Sequence, residues 1–346
     1  MGECSQFDTN EVPFSQRLIV ILGAGIIGCA TARQLLLNGF PVVLVAEYLP
    51  GDQSIYYASA WAGAAWHAAG GSLLINGTFK PSHIAYYSRW HKMAPRQECA
   101  LLMHESTSKK NQSPTRRYGF REMSPGEYPA NFNCAWAYET LVTDPTRHMP
   151  YLRKQVESLG GRFIRQRVES LQELYEMFPE SRVFINASGW GSKTLTDVQD
   201  DKCFPERGQN VFLATDQCNT LHFRSGKEYT YVIPRPLSEG VVLGGVKQQG
   251  NLSPEVDMDI ARDEIARAHR LAPEIVPEHP AADKVSHIIG IRPSRKGGFR
   301  LDSEQKDNRV VLSAYGFGGG GYAFSYGIAD ALVKMVETAE RENVIL

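Results

Sequence analysis

Hydrophobic positions along this chain fall into two kinds of run, and the change from one to the other organises it. Leu18 to Leu22 is continuously apolar, as in a parallel strand buried on both faces. It passes into Gly23-Ala24-Gly25-Ile26-Ile27-Gly28, then into Cys29 to Asn38 with helical spacing, stopped by Gly39. Pro41 precedes a second apolar run, Val42 to Val45, which ends at Ala46-Glu47. Thr143 to Leu159 reads as a helix opened by Asp144-Pro145 and closed by Gly160-Gly161. Arg162 to Val168 is strand-like, and Val183 to Asn186 is an apolar strand entering a glycine turn at Gly189. The pattern then alternates: Val211 to Ala214, Tyr229 to Pro234 and Val241 to Gly245 predict antiparallel strands, with a turn over 236–240. Asp259 to Leu271 predicts an amphipathic helix, and Val285 to Ile291 a strand running into Arg292-Pro293. Val310 to Tyr315 is a last strand, followed by a glycine-rich stretch over 316–321 and a helix from Ala323 to Glu337. From about Ser59 to Tyr138 the chain reads as irregular, rich in aromatic residues, Gly and Pro.

The first unit is a strand, a glycine turn, a helix and a second strand. Gly23 permits the tight turn, Gly25 lets backbone approach a pyrophosphate, and Gly28 lets helix and strand pack closely. Phosphates are favoured at the helix N-terminus, where free N–H groups and the dipole attract anions. Glu47 ends the second strand, where a carboxylate accepts hydrogen bonds from an adenosine ribose and disfavours a 2′-phosphate. The motif alone does not separate NAD from FAD. The order of elements predicts an α/β protein with a Rossmann-like doubly wound domain interleaved with an antiparallel β-sheet substrate domain. Segments 1–60, 140–205 and 285–346 are assigned to the first, and 61–139 and 206–284 to the second.

Composition narrows the classes. The 346 residues suit about two domains, and 42% hydrophobic residues allow a large core. Lys plus Arg number 37 against 38 for Asp plus Glu, a net charge of −1, which argues against a nucleic-acid-binding face. No apolar run reaches the length of a membrane span, and residues 1–16 lack the apolar core of a signal peptide. The six cysteines are scattered without a metal-ligand rhythm, and the nine histidines form no metal site either. An intracellular protein with an organic cofactor is the expectation.

Several stretches together resemble the D-amino-acid oxidase family, which includes D-aspartate oxidases. They are the opening Val20 to Gly28, residues 60–66 (Ala-Trp-Ala-Gly-Ala-Ala-Trp), 183–192, Arg207-Gly208-Gln209, 231–236 (Tyr-Val-Ile-Pro-Arg-Pro), Leu243-Gly244-Gly245, 290–295 (Gly-Ile-Arg-Pro-Ser-Arg) and 315–322. They occur in family order from residue 17 to about 335, which is far more specific than any one of them. The resemblance implies non-covalent FAD, hydride transfer from the substrate α-carbon to flavin N5, and a 2-oxo acid, ammonia and hydrogen peroxide as products with O₂ as acceptor. It also implies FAD contacts from Gly23, Ala24, Gly25, Ile26, Ile27, Gly28, Glu47, Ser59, Gly63, Ala64, Val168, Ser188 and Gly189. Gly319, Gly320, Tyr322, Ala323, Phe324 and Ser325 complete that set. Arg292 matches the family arginine that forks onto the substrate carboxylate, Tyr231 the tyrosine whose hydroxyl reaches it, and Gly321 the backbone carbonyl that accepts from the substrate amine.

Substrate choice turns on cations. A second substrate carboxylate must not be desolvated without a positive partner. Arg224, in the stretch leading to the Tyr231 strand, resembles an arginine of D-aspartate oxidases. Lys247 stands where those enzymes carry another arginine, and His67 where neutral enzymes carry a glutamine. An acidic D-amino acid, D-aspartate and then D-glutamate, is the expected substrate, with a neutral or broad enzyme as the alternative. Remoter alternatives are an NAD-dependent dehydrogenase and a non-catalytic nucleotide-binding protein. The resemblance implies a peroxisomal location, but the chain ends Asn343-Val-Ile-Leu346 without a Ser-Lys-Leu-type tripeptide, so a cytoplasmic one stays open. Expected partners are the D-amino acid and O₂, without nucleic acid or membrane; a homo-oligomer is compatible with the sequence.

Overall fold

The computed structural model describes residues 17–65, 100–104, 121–128, 132, 134–138, 142–217 and 219–343. In chain order the elements begin with β1 (Ile19–Leu22), α1 (Ile26–Leu37), β2 (Val42–Ala46) and the one-turn α2 (Ala58–Trp61). Next come β3 (Ala100–His104), β4 (Arg121–Glu122), β5 (Cys134–Tyr138), α3 (Pro145–Ser158), β6 (Arg162–Arg165), α4 (Leu171–Met177) and β7 (Val183–Asn186). Strands β8 (Cys203–Ala214), β9 (Leu221–Ser225), β10 (Thr230–Arg235), β11 (Gly240–Gly244) and β12 (Gln248–Gln249) lead to α5 (Met258–Leu271). The described chain closes with β13 (Val285–Arg295), β14 (Arg300–Lys306), β15 (Arg309–Tyr315) and α6 (Gly321–Asn343).

The strands form two sheets. The six-stranded one runs β14-β15-β7-β1-β2-β6, all parallel except the edge strand β14. Its continuous apolar strands are covered on both sides, so consecutive residues enter opposite cores. Ile19, Ile21 and Leu44 pack with α1, α3 and α6, whereas Val20, Val43 and Phe184 pack with Leu171 and Leu174 of α4. Local signals set the helix starts: Asp144 caps α3 by accepting from the Thr146 N–H at 3.1 Å, and Asp257 caps α5.

The second sheet, among the described residues, runs β12-β8-β11-β10-β9-β3-β5-β4, with β13 also on β8. One face carries Val211, Val232, Val241 and Leu243 against α5. The other carries Phe223, Tyr231, Ile233 and Val242. Register fixes which residue faces which way: Tyr231 pairs with Phe223 and Gly244, and Arg292 pairs with Glu206.

Three expectations need correction. The stretch read as irregular contains α2, β3, β4 and β5 among its described residues. Val285 to Arg295 pairs along its whole length with β8 and belongs to the second sheet, not to the unit assigned from residue 285. The last helix starts at Gly321, not Ala323, so the glycine run ends inside its first turn.

Candidate active site

A cleft of about 630 Å³ opens where the C-terminal ends of β1, β2, β7 and β15 meet the second sheet. This is where doubly wound sheets bind ligands, because loops diverge there and helix N-termini converge. Gly23 follows β1 with φ +106°, and a β-carbon on it would stand 2.4 Å from the Ala187 carbonyl oxygen. A β-carbon on Gly28 would stand 1.9 Å from the Gly23 oxygen. Helix α1 begins at Gly25 without a side-chain cap of its own; Ser59 Oγ accepts from the Ile26 N–H at 2.9 Å. Tyr322 Oη donates to the Ser59 carbonyl at 2.7 Å, so the start of α6 is tied to the start of α1 through one residue.

At the other end Glu47 lines the cleft, 3.9 Å from Arg167. Its backbone carbonyl accepts from Arg165, which also holds Asp52 through two bonds. The Arg165 guanidinium keeps the Asp52 carboxyl below the usual carboxylate range.

Where the second sheet forms the wall, Arg292 projects onto the cleft face. Its guanidinium lies over Gly208, donates to the Val246 carbonyl at 3.1 Å and stands 3.6 Å from Glu206. Tyr231 lies beside it, buried, and donates its hydroxyl to Asn210 Oδ1 at 2.5 Å. Burial pushes the Tyr231 phenol far up while the Arg292 charge pulls part of the way back, so the hydroxyl stays protonated. Tyr229 packs edge-on against Tyr231, with ring centroids 5.7 Å apart, and Lys247 Nζ sits 4.8 Å from the Tyr229 ring centroid.

The Arg207-Gly208-Gln209 motif divides its labour between the two faces. Gly208 clears the path of Arg292, whereas Arg207 and Gln209 point the other way. Arg207 donates to the Ser253 and Glu255 carbonyls, and Gln209 exchanges two bonds with the Asp257 backbone, anchoring the segment that enters α5.

The comparisons with known proteins agree with this geometry. A family model described as DAO, FAD dependent oxidoreductase, matches residues 19–335. The chain belongs to this family of FAD-dependent oxidoreductases. It is 30% identical to a D-amino-acid oxidase of Schizosaccharomyces pombe over 90% of this chain and 94% of the relative. It is 29% identical to a D-aspartate oxidase of Talaromyces thermophilus, covering 94% and 96% of the two chains. The solved glycine oxidase from Geobacillus kaustophilus has the same fold, with a TM-score of 0.70, 16% identity and coverage of 92% and 94%.

The cleft of this DAO-family chain fits FAD on its own geometry. The α1 terminus, whose N-cap Gly25 leaves the backbone open to an anion, and the start of α6 face one cavity, and Glu47 lines its other end. Of the expected cofactor residues, Gly23, Ala24, Gly25, Ile26, Ile27, Glu47, Ser59, Gly63, Ala64, Val168, Ser188, Gly189, Gly319, Tyr322 and Ala323 line it, as does Gly321. Four do not. Gly28 packs against Gly23, Gly320 faces the Phe324 ring, Phe324 clusters with Phe299 and Phe317, and buried Ser325 donates to the Tyr322 carbonyl.

The substrate-side expectations divide as well. Arg292 lines the cleft, Tyr231 stands beside it, Lys247 is exposed over the Tyr229 ring, and His67 lies outside the described residues. Arg224 is a correction. It lies on β9, opposite Thr230, and alternation turns it to the face away from Phe223 and Tyr231. There it pairs with Glu228 at 2.8 Å and stacks over Phe132. Sequence reasoning missed Asn210 and Glu206. Both face the cleft only through cross-strand pairings with distant residues.

Proposed function

We propose that the chain is an FAD-dependent oxidase of D-amino acids that favours acidic side chains. One observation carries this reading: a planar guanidinium, Arg292, with the Tyr231 hydroxyl beside it, faces the C-terminal ends of the six-stranded sheet. Arg292 offers parallel N–H donors to a substrate carboxylate, and the Tyr231 hydroxyl would join them by turning its one proton from Asn210 Oδ1 to the same group. The carbonyl of Gly321 would accept from the substrate amine, holding the α-carbon in place. Bound FAD supplies the two-electron oxidation, and O₂ takes the electrons away as hydrogen peroxide.

We assign the six-stranded sheet and its helices to the cofactor and the second sheet to the substrate. The acidic preference rests on Lys247, which can meet a second carboxylate. A neutral or broad preference is the second reading, favoured by Arg224 facing away from the cleft.

The test is peroxide release by the FAD-loaded protein, with kcat/KM compared for D-aspartate, D-glutamate and D-alanine. Fastest turnover of D-aspartate supports the full reading. Preference for D-alanine removes its acidic part, and no peroxide from any D-amino acid removes the oxidase reading.

A further inference from the structure

The carboxylate of Glu206 sits on the cleft face, directly across the strand pair from Arg292. Their side chains are similarly half-buried, at 18% and 20% exposure, so neither is fully screened. The 3.6 Å separation is an ion pair without a hydrogen bond, since an N–H···O bond spans about 2.7–3.2 Å. A substrate carboxylate that docks on Arg292 with two hydrogen bonds therefore outcompetes Glu206 without having to break one. Glu206 then keeps its charge but loses the attraction of its neutralised partner. The partly buried Tyr229 phenol feels Arg292 and Glu206 with opposite sign, and Lys247 stands over that ring. The three charges thus surround one aromatic side chain.

We propose that Glu206 is a specificity-determining residue that holds back dicarboxylic substrates, opposing the attraction of Lys247. This rests on the oxidase reading above. With the first carboxylate on Arg292, Glu206 offsets part of the Lys247 attraction, so the wild type favours a second carboxylate less than Lys247 alone would allow. Without the charge of Glu206, Lys247 acts unopposed.

Glu206→Gln keeps the shape and removes the charge; Glu206→Asp keeps the charge. In FAD-loaded protein, Glu206→Gln is expected to raise the ratio of kcat/KM for D-aspartate over D-alanine about tenfold, the size of one partly screened charge pair. Glu206→Asp should leave the ratio near wild type. The dissociation constants of malonate and propionate, read from the flavin absorbance change, should shift in the same sense. A ratio unchanged within about twofold overturns the proposal, as does an equal loss for both substrates, which would make Glu206 a support for Arg292. If wild type oxidises neither amino acid, the oxidase reading falls, and the malonate-to-propionate ratio still decides the role of Glu206.

Discussion

The guanidinium of Arg292 lies across the backbone of Gly208, so closely that a β-carbon there would stand 2.5 Å from Nη2 and 2.7 Å from Cζ. Gly208 is on β8 and pairs with Gly290, two residues before Arg292 on β13, so the glycine and the arginine share the cleft face. The missing side chain is what lets the arginine lie flat. Gly208→Ala should displace the guanidinium by roughly an ångström and lower kcat/KM for every D-amino acid about 100-fold. The flavin content should stay full, because no cofactor contact changes. Activity within about threefold of wild type would show that Arg292 does not need this path.

Tyr231 and Asn210 share one buried hydrogen bond on the same face. Tyr231→Phe leaves Asn210 Oδ1 without its donor, a loss of about 1–2 kcal/mol. It also removes the hydroxyl that could turn from Asn210 to a carboxylate on Arg292, so the substrate KM should rise while the cofactor dissociation constant stays fixed. Urea midpoints and steady-state kinetics on the same preparation separate the two effects. An unchanged KM would place Tyr231 in the core alone.

Arg235 and Asp144 form an ion pair that solvent hardly reaches, with side chains 5% and 2% exposed. Asp144 also caps α3 and accepts from Ser238, while Arg235 donates to the Ala62 carbonyl, next to Gly63 and Ala64 on the cleft wall. Burial alone would raise the Asp144 pKa; the bonds from Ser238 and Thr146 and the Arg235 charge win and hold it below the usual range. Arg235→Met strands a buried carboxylate and should cost about 3–5 kcal/mol. Arg235→Met with Asp144→Asn should recover part of that loss, as coupled neighbours do in a double-mutant cycle. Purely additive losses would mean that the two residues act separately.

How far this was legible in the sequence depends on how local the cause is. The roles of Gly23 and Gly28 come from contacts within the β1–α1 unit or just beside it, and they could be read directly. Helix α4 was equally legible but passed unread: Ser170 accepts from the Glu173 N–H at 3.2 Å, the Ser-x-x-Glu signature of a helix start. Strand β14 was not, since apart from Leu301 its residues from Arg300 to Lys306 are polar and only pairing with β15 makes them a strand. Arg224 shows the limit most clearly. Its face depends on a register in which it opposes Thr230, and a slip of one residue would have turned it into the cleft. Glu206 and Asn210 depend on β13 pairing with a strand about 80 residues earlier, which no local pattern announces.

Glu264 gives the sharpest pH prediction. It lies on α5, whose inner side packs on Val211, Val232 and Leu243, and it is wholly buried. Neither carboxyl oxygen has a hydrogen-bond partner among the described residues. Burial pushes its pKa up to about 9, against the pull of Arg267, Arg292 and Arg207, from 4.5 in the unfolded chain. The folded state therefore holds a proton that the unfolded state gives up. The stability from this group is complete below about pH 4.5 and drains away as pH rises towards 9. Glu264→Gln has no proton to lose, so its stability relative to wild type should climb with pH. Allowing for relaxation of the buried site, we expect a gain of about 2–4 kcal/mol between pH 5 and pH 8.5. Urea unfolding of both proteins at those two pH values measures it, and the difference cancels every other group that titrates in the window. Parallel stability profiles for the two proteins would mean that Glu264 is ionised in the fold and has found a partner.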